Sequence, residues 1–273
     1  MKVRLQEGLT FLLLLAAFGC TAQSSISNHY LTAEKLWTEK HYPASVDEFD
    51  RVVKEAPDSA LGLQALWRAS LTRVLFLNKP EEGMKGFQSF LEKAGNSELA
   101  PEAKLQIGDI YFSKLAEYPK AIDFYQKLLA SNQFSSEDQA KFTYRIGRSW
   151  FLSNQLKHAI EWFEKLLANY PKSAIASKAE FDLANCWYAL GETDKQAYPK
   201  ALRLFQNLKA KTEFKDRLLH VEAIFGEAST LEEMDQLEEA YNLFHSIEKQ
   251  YPAPNVIQVR MIRLSERKAK KRK

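Results

Sequence analysis

Cysteine is nearly missing from this chain: Cys20 and Cys186 are the only two in 273 residues, too few for a disulfide-stapled scaffold. The five histidines, His29, His41, His158, His220 and His245, lie far apart, and no group of Cys and His has metal-ligand spacing. Glycine and proline are scarce, at 10 and 9 residues, which disfavours a turn-rich β-sandwich and suits long helices. There is no Gly-rich phosphate loop, no nucleophile elbow and no His-Glu-x-x-His. None of the histidines pairs with a carboxylate at a spacing suited to general acid–base work. These absences leave the chain with no expected catalytic residue, metal, cofactor or small-molecule substrate.

What is present is apolar material in quantity. The composition is 45% hydrophobic, 12% aromatic and 27% charged, enough for a substantial core and unlike a disordered chain. The net charge of +3 is unevenly spread. From Arg260 to Lys273 there are eight Lys/Arg and one Glu; without that tail and the first nineteen residues, 28 basic and 33 acidic residues remain. The body is therefore mildly acidic and has no pull toward nucleic acid. The tail, Arg267-Lys-Ala-Lys-Lys-Arg-Lys273, reads as a solvated end, with anionic lipid or an acidic protein surface as its alternative targets.

Residues 1–20, MKVRLQEGLTFLLLLAAFGC, have the pattern of a secretory signal: Lys2 and Arg4, then an apolar stretch from Leu9 to Phe18. About ten apolar residues fall short of the roughly twenty that a spanning helix needs. Ala17-Phe18-Gly19-Cys20 resembles a bacterial lipobox, which implies diacylglycerol attached to Cys20. The alternatives are ordinary cleavage after Ala22, since Cys20-Thr21-Ala22 is a small-x-small site, and a retained anchor. By resemblance to other lipoproteins, Thr21 lacks the Asp that holds such proteins in the inner membrane. That implies the periplasmic face of the outer membrane, with a soluble periplasmic chain as the alternative. Residues 20–27 then form a short polar tether.

The rest of the chain repeats. Small residues recur at Ser70, Gly108, Gly147, Ala184 and Gly226, spaced by 38, 39, 37 and 42 positions. A second element recurs with them: Ala121-Ile-Asp-Phe-Tyr125-Gln-Lys-Leu128 matches Ala159-Ile-Glu-Trp-Phe163-Glu-Lys-Leu166. The series continues at Ala201, Phe205 and Leu208, then at Ala240, Phe244 and Ile247. Steps of four and three place a small, an aromatic and an aliphatic residue on one helical stripe. The small residue lets a second helix approach, and the ring fills the space beside it. Pro43, Pro119 and Pro199 sit at the starts of such helices, while Pro57, Pro171 and Pro252 follow their ends. Val256, Val259, Met261 and Leu264 can build a last helix over the end of the stack.

This arrangement resembles the tetratricopeptide repeat, with Ile146-Gly147, Trp150, Ala159, Phe163 and Pro171 at that family's spacing. The resemblance covers residues 28–258 and implies an all-α, right-handed superhelix of about six antiparallel helix pairs. The organisation expected is a signal peptide over 1–19, a tether over 20–27, repeats over 28–258, and a capping helix end with basic tail over 259–273.

In that family, first-helix positions two, five, nine and twelve line a concave protein-binding groove. Carried onto this chain they are Glu102, Leu105, Asp109 and Phe112; Lys141, Tyr144, Arg148 and Phe151; and Lys178, Phe181, Asn185 and Tyr188. Leu105 and Phe181 read equally well as core. The Lys-and-Asn pair with which some relatives grip a terminal carboxylate is absent, because Tyr30/Glu34 and Tyr144/Arg148 stand there. Cys186 reads as a buried inert thiol, and Glu232-Glu233 with Glu238-Glu239 as solvated helix-start charge or an acidic docking patch.

A lipidated start followed by such repeats is similar to the BamD family of outer-membrane β-barrel assembly lipoproteins. The stretch that carries this is Ala33-Glu-Lys-Leu-Trp37, Tyr42, Phe49-Asp-Arg-Val-Val53, Pro57-Asp-Ser59 and Ala65. After residue 100 the chain departs from it. The departure admits periplasmic repeat proteins that coordinate envelope constriction with peptidoglycan synthesis. Both resemblances imply a scaffold whose partners are envelope proteins or peptides.

Overall fold

The computed structural model describes residues 25–131, 133–212 and 216–271. The signal segment and Cys20 lie outside the described residues. Among those described, every regular element is helical. The chain divides into two compact units, one reaching to Ala116 and the other starting at Glu117. The division falls inside the third expected helix pair.

The first unit holds α1 (25–38), α2 (Tyr42–Glu55), α3 (Ala60–Leu75), α4 (Pro80–Ala94) and α5 (Ala100–Asp109). A π-helical turn, Ile110–Lys114, extends α5. Ala33 on α1, Phe49 and Val52 on α2, and Ala65 and Ala69 on α3 form one fully buried cluster. Ser45 occupies the small-residue position of α2 and donates its hydroxyl hydrogen to the Ala33 carbonyl at 2.8 Å. That bond satisfies a polar side chain that is fully buried.

The second unit holds α6 (Tyr118–Ala130), α7 (Ser136–Leu152), α8 (Leu156–Asn169), α9 (Ala176–Leu190), α10 (Tyr198–Thr212), α11 (Arg217–Glu233), α12 (Leu237–Ile247) and α13 (Pro254–Lys271). Each helix packs against the next, and α7, α9 and α11 also touch in succession. The expected notch is physical. A Cβ added to Gly147 would lie 2.7 Å from the ring of Phe163, and one added to Gly226 would lie 2.4 Å from that of Phe205. Both rings are buried to within 1%. Burying such a ring stabilises the fold by about 1.5–3 kcal/mol.

The turns inside the pairs are closed by a left-handed residue: Lys40, Asn78, Ala116, Asn154 and Asp235 have φ between 53° and 64°. At four of them the next amide reaches back to the preceding helix: His41 N–H to Leu36, Lys79 N–H to Arg73, Gln155 N–H to Trp150 and Gln236 N–H to Leu231. These bonds satisfy carbonyls that a helix end would otherwise leave open. The α9–α10 turn departs from this pattern. It is longer and carries a 3₁₀ turn, Lys195–Ala197, capped by Asp194.

The last helix corrects two expectations. Of the four residues expected to cover the stack, only Leu264 is fully buried; Val256 and Val259 are 40% and 66% exposed. The buried stripe is Ile257 and Leu264, seven residues apart, with Met261 packed between them. A spacing of four then three lies on one face, and the two valines fall on the other. The basic tail is also not a free end up to Lys271. Arg260 (2.7 Å) and Arg267 (3.4 Å) bind the carboxylate of Glu232, which is 1% exposed. Arg267 and Lys271 reach Asp235, and Lys268 pairs with Glu238. The charge expected to be solvated, or to dock a partner, thus holds α13 on the unit in part.

Candidate functional site

The expected groove residues do not share one environment. In the second unit, Arg148 and Phe151 on α7, Lys178, Phe181, Asp182 and Asn185 on α9, and Asp216, Leu218, Leu219 and Glu222 at the start of α11 line a groove of about 470 Å³. It runs over three consecutive first helices. Four expected residues, Arg148, Phe151, Lys178 and Asn185, are brought together in it. Phe181 serves both readings: it lines the groove and its ring meets that of Phe205 edge-on at 6.0 Å.

Tyr144 lies beneath this surface and is 6% exposed. Its hydroxyl donates to Asp182 Oδ2 at 2.7 Å, and Arg148 donates to Oδ1 of the same carboxylate at 3.1 Å. Burial pushes the Asp182 carboxyl above the ordinary range, and the Tyr144 and Arg148 bonds oppose that rise. The Tyr144 phenol is raised by burial and then by the neighbouring carboxylate. Tyr144 is therefore a fixed strut that positions Arg148, whose guanidinium stacks 5.3 Å from the Phe151 ring centre.

Lys141 is exposed and pairs with Asp138 in the first turn of α7, at 3.2 Å. Tyr188 is half-buried, with its ring 5.7 Å from that of Tyr198; burial and then the charge of Glu233 raise its phenol. Asp109 ends α5 and Phe112 lies in the π turn, both in the first unit. A π turn adds a residue to the helical repeat, so positions after it rotate by roughly 100° from an α-helical count. Phe112 lies inside that turn, so an α-helical count does not by itself fix the face it occupies.

The chain's sequence did not single out Asp182, Asp216, Leu218, Leu219 or Glu222. Asp182 carries a readable signal: it lies 34 residues after Arg148, and Arg68 lies 34 after Glu34. In the first unit that second pair forms two parallel hydrogen bonds, 2.8 and 2.7 Å long. Opposite charges one repeat apart meet between successive first helices in both units.

Chemically, the groove offers apolar contact and charge. Cys186 is buried, and burial raises its thiol to about 12, far from a reactive thiolate. Among the described residues no group of three or more His, Cys, Asp or Glu is placed to hold a metal ion. No described helix is long and apolar enough to cross a membrane. By contrast, Lys178, Asn185 and Glu222 line the groove with no hydrogen bond or ion pair among the described residues.

The fold has relatives. Residues 115–174 match the tetratricopeptide repeat family. A tetratricopeptide repeat protein from Parabacteroides merdae ATCC 43184 superposes with a TM-score of 0.61 at 16% identity, covering 91% of this chain and 89% of its own. The fold is that of a tetratricopeptide-repeat protein. PilW, a widely conserved type IV pilus biogenesis factor, gives 0.57 at 14% identity, covering 86% of this chain and 97% of its own. MamA (41-end) from Desulfovibrio magneticus RS-1 gives 0.51 at 14% identity, covering 70% and 97%. No curated protein sequence matches. At these identities the likeness establishes the tetratricopeptide fold.

Proposed function

We propose that this tetratricopeptide chain is an envelope adaptor, moored to the periplasmic face of the outer membrane by lipid on Cys20, that docks other envelope proteins in the α7–α9–α11 groove. One observation carries the docking part. Lys178, Asn185 and Glu222 face the same groove, beside Phe151, Phe181 and Leu218, and have no hydrogen bond or ion pair among the described residues. Leu218 is 55% exposed. Aromatic and aliphatic surface mixed with unpaired polar groups is what a binding patch concentrates. The mooring part rests on Ala17-Phe18-Gly19-Cys20 and the polar residues after it. Resemblance to the BamD family points to outer-membrane protein assembly as the process served, with envelope constriction as the alternative.

Two experiments test the parts separately. A photoreactive residue replacing Phe151 in living cells should trap a discrete envelope protein; the same probe on the opposite side, at Glu164, should not. Equal yields at both positions would remove the docking assignment. Metabolic labelling with a palmitate analogue should tag the wild-type chain and not Cys20→Ala. An unlabelled wild type that fractionates without detergent would make it a soluble periplasmic scaffold, cleaved after Ala22.

A further inference from the structure

The groove is polarised, and its charges can be followed residue by residue. Asp182 is occupied: it accepts from the Tyr144 hydroxyl and from Arg148. That pairing neutralises the α7 side. Lys178 remains on α9, with its ammonium 5.8 Å from the Tyr144 ring centre. At the start of α11, Asp216 caps the helix, its Oδ1 accepting from the Leu219 N–H at 3.0 Å. Glu222 stands six residues further along, half-buried and without a side-chain hydrogen-bond or ion-pair partner among the described residues. Two carboxylates, at the start of α11 and within it, thus face the single ammonium of Lys178 on α9. The apolar surface between them is Phe181 and the exposed Leu218.

We propose that the α11 side of this groove selects a partner segment in which a Lys or Arg adjoins a bulky apolar residue. The apolar side chain covers Phe181 and Leu218, and the cation meets Glu222 with Asp216 behind it. This rests on the docking reading above and adds the chemistry of the ligand. A half-buried carboxylate without a partner has given up part of its hydration with no compensating bond, and an incoming cation supplies that bond. The groove's own electrostatics agree: burial, and then the charges of Asp216 and Asp182, hold the Glu222 carboxyl above the usual range, with Lys178 opposing. A cation there lowers the local negative potential. An acidic segment would raise it.

The test uses the full chain and two fluorescent peptides of one backbone, carrying Lys-Phe-Leu-Lys or Glu-Phe-Leu-Glu at the centre, read by anisotropy. The basic peptide should bind about 10-fold or more tightly than the acidic one, the scale of one charge-assisted hydrogen bond. Glu222→Gln should weaken the basic peptide by a similar factor, and Glu222→Lys should reverse the preference, with circular dichroism unchanged. Equal binding of the two peptides, an acidic preference, indifference to Glu222→Lys, or no binding of either peptide up to about 1 mM would overturn the charge selection. The crosslink from position 151 separates this from the docking reading. A specific crosslink with no charge preference removes this inference alone, whereas its loss removes both.

Discussion

Tyr144 and Asp182 meet across two successive first helices, the phenolic hydroxyl donating to a carboxylate at 2.7 Å that is only 5% exposed. The bond joins a residue of one repeat to its neighbour's and holds a charge in the scaffold just beneath the groove. Arg148 takes the other oxygen, so this one carboxylate sets the place of a groove cation.

Tyr144→Phe should therefore cost about 1–3 kcal/mol, the penalty for leaving a buried acceptor short of a donor. The cost should depend on pH in a defined direction. The native Asp182 carboxyl is already raised by burial, so its contribution to stability is greatest below the unfolded value, about 3.9, and declines as pH rises through the native one. The Tyr144 bond favours the ionised form, and its loss raises the native value further. The difference between wild type and variant should be smallest near pH 4 and grow toward pH 7 in denaturant titrations. A difference that shrinks with rising pH would contradict the assignment.

Gly147 and Phe163 are two halves of one contact, and their substitutions should not add. Phe163→Ala should cost about 3–5 kcal/mol. Gly147→Ala forces a Cβ against the ring, at 2.7 Å, and should cost about 1–3 kcal/mol by overpacking. In the double variant the alanine enters the space the ring vacated, so the combined loss should fall short of the sum. Denaturation of all four proteins, followed by circular dichroism, measures the coupling. Strict additivity would separate the notch from the ring.

The core was legible because its chemistry repeats. Ala159, Phe163 and Leu166 are each 0% exposed, as the small–aromatic–aliphatic stripe requires. What repetition does not encode was lost. The π turn at Ile110–Lys114 breaks the 3.6-residue count at Phe112. The terminal helix has no later copy to align with, so its buried stripe was placed on Val256 and Val259 in place of Ile257. The groove was half legible: Arg148, Phe151, Lys178 and Asn185 follow from register. The α11 contributors follow from how the third first helix is laid beside the second, a tertiary fact absent from local spacing. Asp182 lies off the expected groove stripe, and only its distance of one repeat from Arg148 marks it.

Cys186 gives a direct readout of this packing. Its side chain is fully buried between α9 and its neighbours, and burial raises the thiol to about 12. In a Cys20→Ala variant, an aromatic disulfide reagent at pH 8 should label no thiol over minutes in the native state and one thiol per chain after denaturation. Phe163→Ala, which loosens the same cluster, should open a measurable labelling rate below the denaturation midpoint. Immediate labelling of the native protein would place Cys186 at the surface.

Electrostatics hold α13 more visibly than any other helix. Glu232 is buried and accepts from both Arg260 and Arg267. Glu232→Gln keeps the volume and removes the charge, and should cost about 1.5–3 kcal/mol, the range for hydrogen bonds to a charged group. The loss should be local. Hydrogen exchange should accelerate in α13 and the end of α11 while α7 and α8 stay protected, because a repeat contacts only its neighbours. Salt should have little effect on the Glu232 contact, which is shielded from solvent, and a larger one on the exposed Asp235 cluster. Asp235 is held below the ordinary carboxylate range by the Lys271 hydrogen bond first. A depressed native value means its contribution is present above the unfolded value, about 3.9, and vanishes as pH falls through the native one. Fraying of the last turn of α13, followed by exchange or by proteolysis after the lysines, should therefore increase with acid as well as with salt. If Asp235→Asn frays that turn at pH 7 and wild type at low pH does not, protonation of Asp235 is not what releases it.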